Sequence, residues 1–411
     1  LSHADVMSIS APLRRNGYDG RLPRKGVYPV MKTSRREFVS AGLMLPIATA
    51  GSGMGLLTPE KLASSVKLDY RMLGKTGLKV TTVGFGCMIT SDPSVITRAA
   101  DLGVNYFDTA RGYQRGNNER MVAAALGSKR KDIILSTKSV SGDKAKLLGD
   151  LDTSLRELKT DYVDIWYLHA KDRPADIRDD MIEAQHIAKQ QGKIRFAGMS
   201  THALPNMLEW TAEKKAFDVV LTVYNFSMSG AIDQAIASVA KTGTGVVAMK
   251  VMAGGFRSVK ASDPVFKKLH REGAMLAALK WVLKRPNITT TIPSMTDMEQ
   301  LDENLRAMGT AFSPLDEKVL ARQIEDIRAL YCRMCGECDG MCAKGLAIAD
   351  TLRILTYADG YGQFALARER YGELPAEDAD VRCGDCTECA VKCPHGVDVA
   401  GRMARAQELF A

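Results

Sequence analysis

The sequence holds little that would read a nucleic acid, cross a bilayer or staple a secreted fold with scattered disulfides. Of nine cysteines, eight fall between Cys332 and Cys393, and only Cys87 lies outside that window. Disulfides of a secreted fold would be spread along the chain, so this clustering points to local chemistry near the C-terminal end. No basic stripe is interleaved with aromatics, which make up 6% of the residues. The formal charge of +8 is concentrated at the front: residues 1–50 carry eight basic residues against three acidic ones, a net of +5, leaving about +3 for the rest. No nucleic-acid partner is expected from such a distribution. The apolar stretch from Val39 to Leu57 is interrupted by Gly42, Pro46, Gly51, Gly53 and Gly55. A spanning helix needs about 20 mostly apolar residues. No flavin motif is evident. What remains is ordinary globular composition, 45% hydrophobic and 25% charged over 411 residues, enough for one large domain with appendages.

Residues 1–30 are polar and show no apolar period, and they read as a disordered leader or a start-site artefact. From Met31 the pattern sharpens. Arg35-Arg36 is followed two residues later by Phe38, then by a weakly apolar run and an Ala-x-Ala pattern at Ala48 and Ala50. Residues 31–50 therefore resemble a twin-arginine signal peptide, with 51–67 as linker. The resemblance implies the twin-arginine translocase as a partner and a periplasmic or otherwise exported protein. Retention of an uncleaved signal as a membrane tether is the alternative. That route carries proteins already folded.

Tyr70 to Val80 reads as a short hairpin with glycine-containing turn chemistry. Beyond it, apolar strand-like runs alternate with helix-period segments. The strands are Val80–Gly86, Asn105–Asp108, Ile133–Thr137, Val163–Leu168, Ile194–Gly198, Val219–Val223, Gly245–Ala248 and Ile288–Ile292. Amphipathic segments such as Asn118–Leu126, Leu147–Leu158, Met181–Gln191, Ala231–Lys241 and Gly273–Leu283 lie between them. Eight strand–helix units over residues 68–312 predict an α/β fold, a (β/α)8 TIM barrel, whose buried parallel strands are near-continuous apolar runs. The runner-up, a doubly wound open sheet, would need a glycine-rich phosphate turn after the first strand. Gly84-Phe-Gly86-Cys87-Met88 lacks the third glycine and a later acidic residue.

Barrel enzymes place their chemistry where strands end. Asp108 closes the second strand, Tyr113 follows in its loop, Lys138 closes the third and His169 the fourth. Each alone reads as a solvated loop charge or a packed histidine. Together, at three adjacent strand mouths, they form a constellation. Here residues 68–312 resemble the aldo-keto reductase family, through Leu-Gly-Lys-Thr-Gly-Leu-Lys-Val, Phe-Asp-Thr-Ala, Ser-Leu-Arg-Glu-Leu-Lys-Thr-Asp-Tyr-Val-Asp-Ile, Leu-His and Gln-Leu-Asp-Glu-Asn. The resemblance implies a catalytic tetrad of Asp108, Tyr113, Lys138 and His169, a nicotinamide cofactor and a small carbonyl or alcohol substrate. Tyr113, with an unperturbed pKa of about 10, would donate a proton to the carbonyl oxygen. Lys138 is expected to lower that pKa, Asp108 to fix Lys138, and His169 to orient the carbonyl.

For the cofactor the resemblance implies contacts at Ser200, Thr201, Tyr224, Met249, Lys250, Met252, Gly254, Ser294, Gln300, Glu303 and Asn304. Gly254 and Gly255 would permit close backbone approach to a pyrophosphate. Thr296 and Glu299 form a capping-box pattern at a helix start. Ser294 and Gln300 are uncharged where the family often carries basic residues for the 2′-phosphate, so NAD(H), or dual use with NADP(H), is expected.

Cys332-x2-Cys335-x2-Cys338-x3-Cys342 is followed by Cys383-x2-Cys386-x2-Cys389-x3-Cys393-Pro394. This is the bacterial ferredoxin spacing, twice. It predicts two [4Fe-4S] clusters in a small, mainly helical, ferredoxin-like iron–sulfur domain over residues 332–411, joined to the barrel by a helix at 313–331. Because the fourth cysteine of such a run serves the other cluster, Cys332, Cys335, Cys338 and Cys393 would hold one, and Cys383, Cys386, Cys389 and Cys342 its partner. A pair of zinc sites is the alternative. The first run lacks the usual proline, having Ala343 after Cys342. Residues 350–380 look helical, with Tyr357, Tyr361, Phe364 and Tyr371 expected to pack this domain onto the barrel. Cys87 reads as a small core hydrophobe, and His202 and His395 are not expected to bind metal.

The leading function is thus an exported carbonyl/alcohol oxidoreductase that carries two clusters. The alternatives are an iron–sulfur electron-transfer protein using the barrel as a docking platform for an external partner, and a non-catalytic scaffold. Nicotinamide exchanges two electrons as hydride while each cluster takes one, so the clusters are either structural or serve a partner outside the chain.

Overall fold

The computed structural model describes residues 67–228, 230–256, 258–375, 383, 386 and 388–410. The expected leader at 1–30, the signal at 31–50 and the linker up to residue 66 lie outside them. Among the described residues, no helix is long and apolar enough to cross a membrane.

The chain opens on an antiparallel hairpin, β1 (Tyr70–Met72) and β2 (Lys79–Thr81). Its turn residue Gly74 has a φ of +53°, and a Cβ there would collide with the backbone at Gly243 and Gly245. Only glycine meets both demands. Leu73, Leu78 and Val80 thereby plug the lower end of the barrel, packing with Tyr106, Ile165, Tyr167, Val219, Leu221 and Val247. The expected single strand Val80–Gly86 is in fact two elements. Its first part belongs to the hairpin, and the first barrel strand is the short β3 (Phe85–Gly86). Thr82 and Val83 turn the corner between them, and Thr82 backbone groups bond to Asp69 and Thr291.

Seven further strands run parallel to β3: β4 (Tyr106–Asp108), β5 (Ile134–Ser139), β6 (Val163–Leu168), β7 (Ile194–Thr201), β8 (Val219–Val223), β9 (Gly245–Met249) and β10 (Thr290–Thr291). The bridge between Val83 and Thr291, with bonds from Gly84 N to Thr291 O (2.8 Å) and Gly86 N to Pro293 O (3.1 Å), brings the last strand back to the first. The fold is the expected α/β barrel. Around it lie α1 (Pro93–Asp101), α2 (Asn117–Leu126), α3 (Lys144–Leu158), α4 (Asp179–Gln190), α5 (Asn206–Lys214), α6 (Gly230–Lys241), α7 (Phe266–Leu269), α8 (Ala274–Leu283) and α9 (Met298–Leu305). α9 does not start on the expected Thr296/Glu299 box. Asp297 caps it, accepting from Gln300 N at 2.9 Å. A carboxylate one residue on satisfies the free amide better than the threonine hydroxyl.

α10 (Pro314–Ile327) opens on a complete capping box, Ser313 with Asp316, and Lys280 of α8 holds that aspartate at 2.5 Å. After it come α11 (Ile348–Asp359), α12 (Phe364–Tyr371) and α13 (Val399–Phe410). These helices do not stand apart from the barrel. Cys332, Met334, Leu346, Ile348, Leu352, Val391, Val399 and Met403 belong to the same hydrophobic core as Trp166, Leu168 and Val223. Asp359 anchors α13 to α11 through Arg402 (2.6 Å) and Arg405 (2.8 and 2.9 Å). Gly360 sits so close to the loop after β9 that a Cβ there would meet the Gly254 carbonyl at 2.6 Å.

Candidate active site and thiol clusters

Parallel pairing fixes the heights of the strand-end residues: Asp108 sits opposite Ser136, and Lys138 opposite Tyr167. The alternation of a strand then points Asp108 and Lys138 toward the barrel axis. The Lys138 ammonium is 1% exposed and makes three bonds: to Asp108 Oδ2 (2.6 Å), to the Thr109 carbonyl (2.7 Å) and to Tyr113 Oη (3.1 Å). Ser136 Oγ donates to the other Asp108 oxygen at 2.7 Å. Tyr113 is brought in by the turn after β4, where Gln114 and Arg115 adopt positive φ and Gly116 follows at +84°. The His169 ring meets the Tyr113 ring edge-on, with centroids 5.8 Å apart. All four residues expected from the strand ends are therefore gathered at one mouth.

Their electrostatics follow from burial. Burial works against the Lys138 ammonium, but Asp108 and Tyr113 outweigh it and hold the pKa up. The sequence led us to expect that Lys138 would bring Tyr113 down. Instead, burial dominates and the phenol sits above its ordinary value, with Lys138 offsetting only part of the rise. Tyr113 therefore keeps its proton across the neutral range. Burial, reinforced by Lys138, pushes the His169 pKa well below 6.5, so the imidazole is neutral and able to donate a hydrogen bond.

A cleft runs outward from Tyr113 and Asp108. Eight of the expected cofactor contacts line it: Met249, Lys250, Met252, Gly254, Ser294, Gln300, Glu303 and Asn304. The donor set suits a dinucleotide. The thioethers of Met249 and Met252, the backbone at Gly254 (φ +98°) and Gly255 (φ +66°), and the amide and carboxylate groups of Gln300, Asn304 and Glu303 all line the cleft. The other three expected contacts are turned elsewhere. Ser200 Oγ accepts from Ala170 N (2.9 Å), Thr201 Oγ1 donates to Asp172 (3.1 Å), and the Tyr224 hydroxyl bonds Asp233 while its ring packs on Trp281. In each case a nearer partner on the barrel wall claims the polar atom. The Gln300 amide folds back on Thr296 (3.0 Å) and Asp297.

Asp172 and Arg353 at this mouth were not read from the sequence, and Tyr357 and Tyr361 were expected only to pack the C-terminal helices onto the barrel. Asp172 receives bonds from Thr201 (3.1 Å) and from the backbone (2.6 Å) and ring (3.3 Å) of His202. Just past α11, Tyr361 lines the cleft; from α11 itself, Tyr357 lies under the Lys250 ammonium (4.8 Å to the ring centroid), and Arg353 donates to Tyr357 Oη at 3.2 Å. Arg353 and Tyr357 are four residues apart, a same-face spacing that was legible as a pair.

The eight clustered cysteines fall into two groups and none is in a disulfide. The charge of Cys332 is felt with those of Cys338, Cys335 and Cys393, and that of Cys383 with Cys389, Cys386 and Cys342. The second group, with Lys344 beside it, lines a cavity of about 410 Å³. Met334 N donates to Cys332 Sγ at 3.4 Å. Cys335 lies close to Glu337 and His395, a mixed set that could also hold a metal ion. Cys87, fully buried beside Asp108, is pushed above the ordinary thiol range by burial and packs in the core.

The Aldo/keto reductase family profile matches residues 93–328, more than half of the chain. An uncharacterized oxidoreductase of Bacillus subtilis, YqkF, is 28% identical over 303 residues, covering 64% of this chain and 97% of that one. The L-glyceraldehyde 3-phosphate reductase of Escherichia coli K12 is 24% identical over 339 residues, covering 66% and 96%. Among solved structures, the aldo-keto reductase AKR11C1 of Bacillus halodurans in its holo form superposes with a TM-score of 0.54 at 26% identity, covering 62% of this chain and 96% of that one.

The buried pair yields a stability prediction. Lys138→Met leaves Asp108 charged and unpaired, and should cost about 3–5 kcal/mol in anaerobic urea unfolding. Adding Asp108→Asn should recover most of that loss. Equal stability of the single and double variants would show that the ion pair is not formed.

Proposed function

The chain belongs to the aldo/keto reductase family of oxidoreductases, and from that premise we propose that it reduces a small carbonyl compound, or oxidises the alcohol, with Tyr113 as the proton donor. The observation that carries this reading is the Lys138 ammonium bonded at once to Asp108 and to Tyr113 Oη. A bound nicotinamide supplies or accepts the hydride. Around it the side chains do four things. Asp108 and the Thr109 carbonyl hold Lys138. Lys138 orients the Tyr113 hydroxyl and stabilises the charge left when its proton moves to the carbonyl oxygen. His169, neutral, offers that oxygen a hydrogen bond. Met249, Met252 and the bare backbone at Gly254 and Gly255 would hold the dinucleotide. The absence of a cationic side chain at Ser294 and Gln300, with the Asp297 carboxylate beside them, supports NAD(H) over NADP(H).

In the same reading, Cys332, Cys335, Cys338 and Cys393 hold one [4Fe-4S] cluster, and Cys342, Cys383, Cys386 and Cys389 another. The doubled spacing and the two-way grouping of the thiols support it. Such clusters supply single-electron exchange, to a partner outside the chain. The Arg35-Arg36 pattern supports export by the twin-arginine route.

Tyr113→Phe should lower kcat for aldehyde reduction by about 10²–10⁴-fold with little change in the KM for NADH; full activity would exclude Tyr113 as the donor. With a neutral aldehyde, the wild-type rate should be level from about pH 6.5 to 10 and fall above that. The raised Tyr113 pKa keeps the proton on below that limit, and the lowered His169 pKa removes any inflection near 6.5. A fall between pH 6 and 7 would contradict this. Anaerobic protein should contain about eight iron and eight acid-labile sulfide per chain; zinc in place of iron would remove the clusters.

A further inference from the structure

The mouth of the barrel is not finished by the barrel. Beyond Tyr113 and His169 it is faced by α11 and α12, which bring three polar side chains toward the reacting end. Tyr357 is buried, at 7% exposure, with its hydroxyl accepting from Arg353 Nη1 (3.2 Å) and its ring under the Lys250 ammonium (4.8 Å). Arg370 reaches from α12 to the loop of Tyr113, where a Cβ on Gly112 would lie 3.4 Å from its Nη2. Its charge acts on His169 as well as on Tyr357, and the Tyr357 charge acts in turn on Tyr113.

Tyr357, near the proton donor, thus bonds Arg353, carries Lys250 over its ring, and feels the charge of Arg370. Of the acids near them, Asp108 and Asp172 are committed elsewhere, while Asp350 and Glu373 each offset one arginine. Asp108 holds Lys138 and Ser136. Asp172 holds Thr201 and His202. Asp350 binds Arg353 Nη2 at 2.6 Å, and Glu373 binds Arg370 at 2.7 and 2.9 Å. No described carboxylate pairs with Lys250, whose neighbours are the rings of Tyr357 and Tyr361. With two carboxylates set against three cations, one positive charge is left over at Lys250, which lines the cleft together with Tyr113; such a charge is stabilised by an anion, and most by one that accepts hydrogen bonds.

We propose that Lys250, Arg353, Tyr357 and Arg370 form a carboxylate subsite, so that the preferred substrate is a carbonyl compound bearing a carboxylate. The inference rests on the carbonyl-reductase reading above and adds a substrate class to it. The helices after the first cysteine run then have a catalytic consequence that needs no electron transfer: they supply the specificity wall that the short loop after β6 does not. At neutral pH Tyr357 is in its protonated form. Burial raises it, but Lys250 and then Arg353 bring it down to about 8, which leaves its hydroxyl a strong donor.

A carboxylate-bearing aldehyde and its neutral isostere test this on the full, anaerobically purified chain: 4-carboxybenzaldehyde and 4-formylbenzamide. The expected kcat/KM ratio, carboxylate over neutral, is tenfold or more. Arg353→Gln and, independently, Arg370→Gln should each cut that ratio about tenfold, and Arg353→Lys should restore part of it. Calorimetric titration gives a readout without turnover: benzoate should bind, its neutral isostere benzamide should not, and Arg353→Gln should remove the difference. Equal binding of benzoate and benzamide, or a ratio untouched in both glutamine variants, overturns the subsite even if both aldehydes are reduced. Benzoate selectivity with no turnover of either aldehyde keeps the subsite and overturns the carbonyl-reductase reading instead.

Discussion

The ammonium of Lys138, taken out of water between Asp108 and Tyr113, is the constraint that the rest of the site depends on. A buried cation is tolerated only where its bonds are all made, and here a carboxylate, a carbonyl and a phenol make them. Strand register sets two of those partners and a strained turn delivers the third. The arrangement holds the Tyr113 hydroxyl at a fixed point with its proton in place, beside a neutral imidazole. That is a geometry for handing a proton to an oxygen. It becomes carbonyl chemistry only with a hydride source, and a cleft lined by Met249, Gly254, Ser294 and Asn304 opens beside Tyr113.

The second constraint is the union of the barrel with the helices that follow it. One core runs from Trp166 and Leu168 to Cys332, Leu352 and Met403. Asn225, just past β8, bonds both the Lys250 carbonyl (3.1 Å) and the Tyr331 hydroxyl (3.0 Å), tying the cleft to the residue that precedes Cys332. The thiols and the mouth of the barrel are therefore joined through one packed core.

The barrel was legible because buried parallel strands are apolar runs with their own punctuation, and the tetrad because its members sit at strand ends. The misreadings have local causes. Val80–Gly86 looked like one strand because its apolar character is continuous, although the chain turns at Thr82. Tyr224 looked like a cofactor contact because it lies at a strand end, but its side chain faces α6 and α8. The direction of the Tyr113 shift was wrong because a neighbouring charge is visible in a sequence and burial is not. The places of Arg353 and Arg370 at the mouth, and that of Tyr357 beyond packing, were hidden for a related reason. Their meaning depends on where α11 and α12 dock, which no local pattern encodes.

The most direct measurement of the central claim follows the hydride. The full chain, purified anaerobically, is given NADH deuterated at C4 of the nicotinamide and an aromatic aldehyde, and the alcohol is analysed by mass spectrometry and NMR. The account predicts deuterium on the carbinol carbon and a solvent-derived proton on the oxygen. Alcohol formed with only solvent hydrogen on that carbon, or no alcohol from a protein holding bound nucleotide, would contradict it.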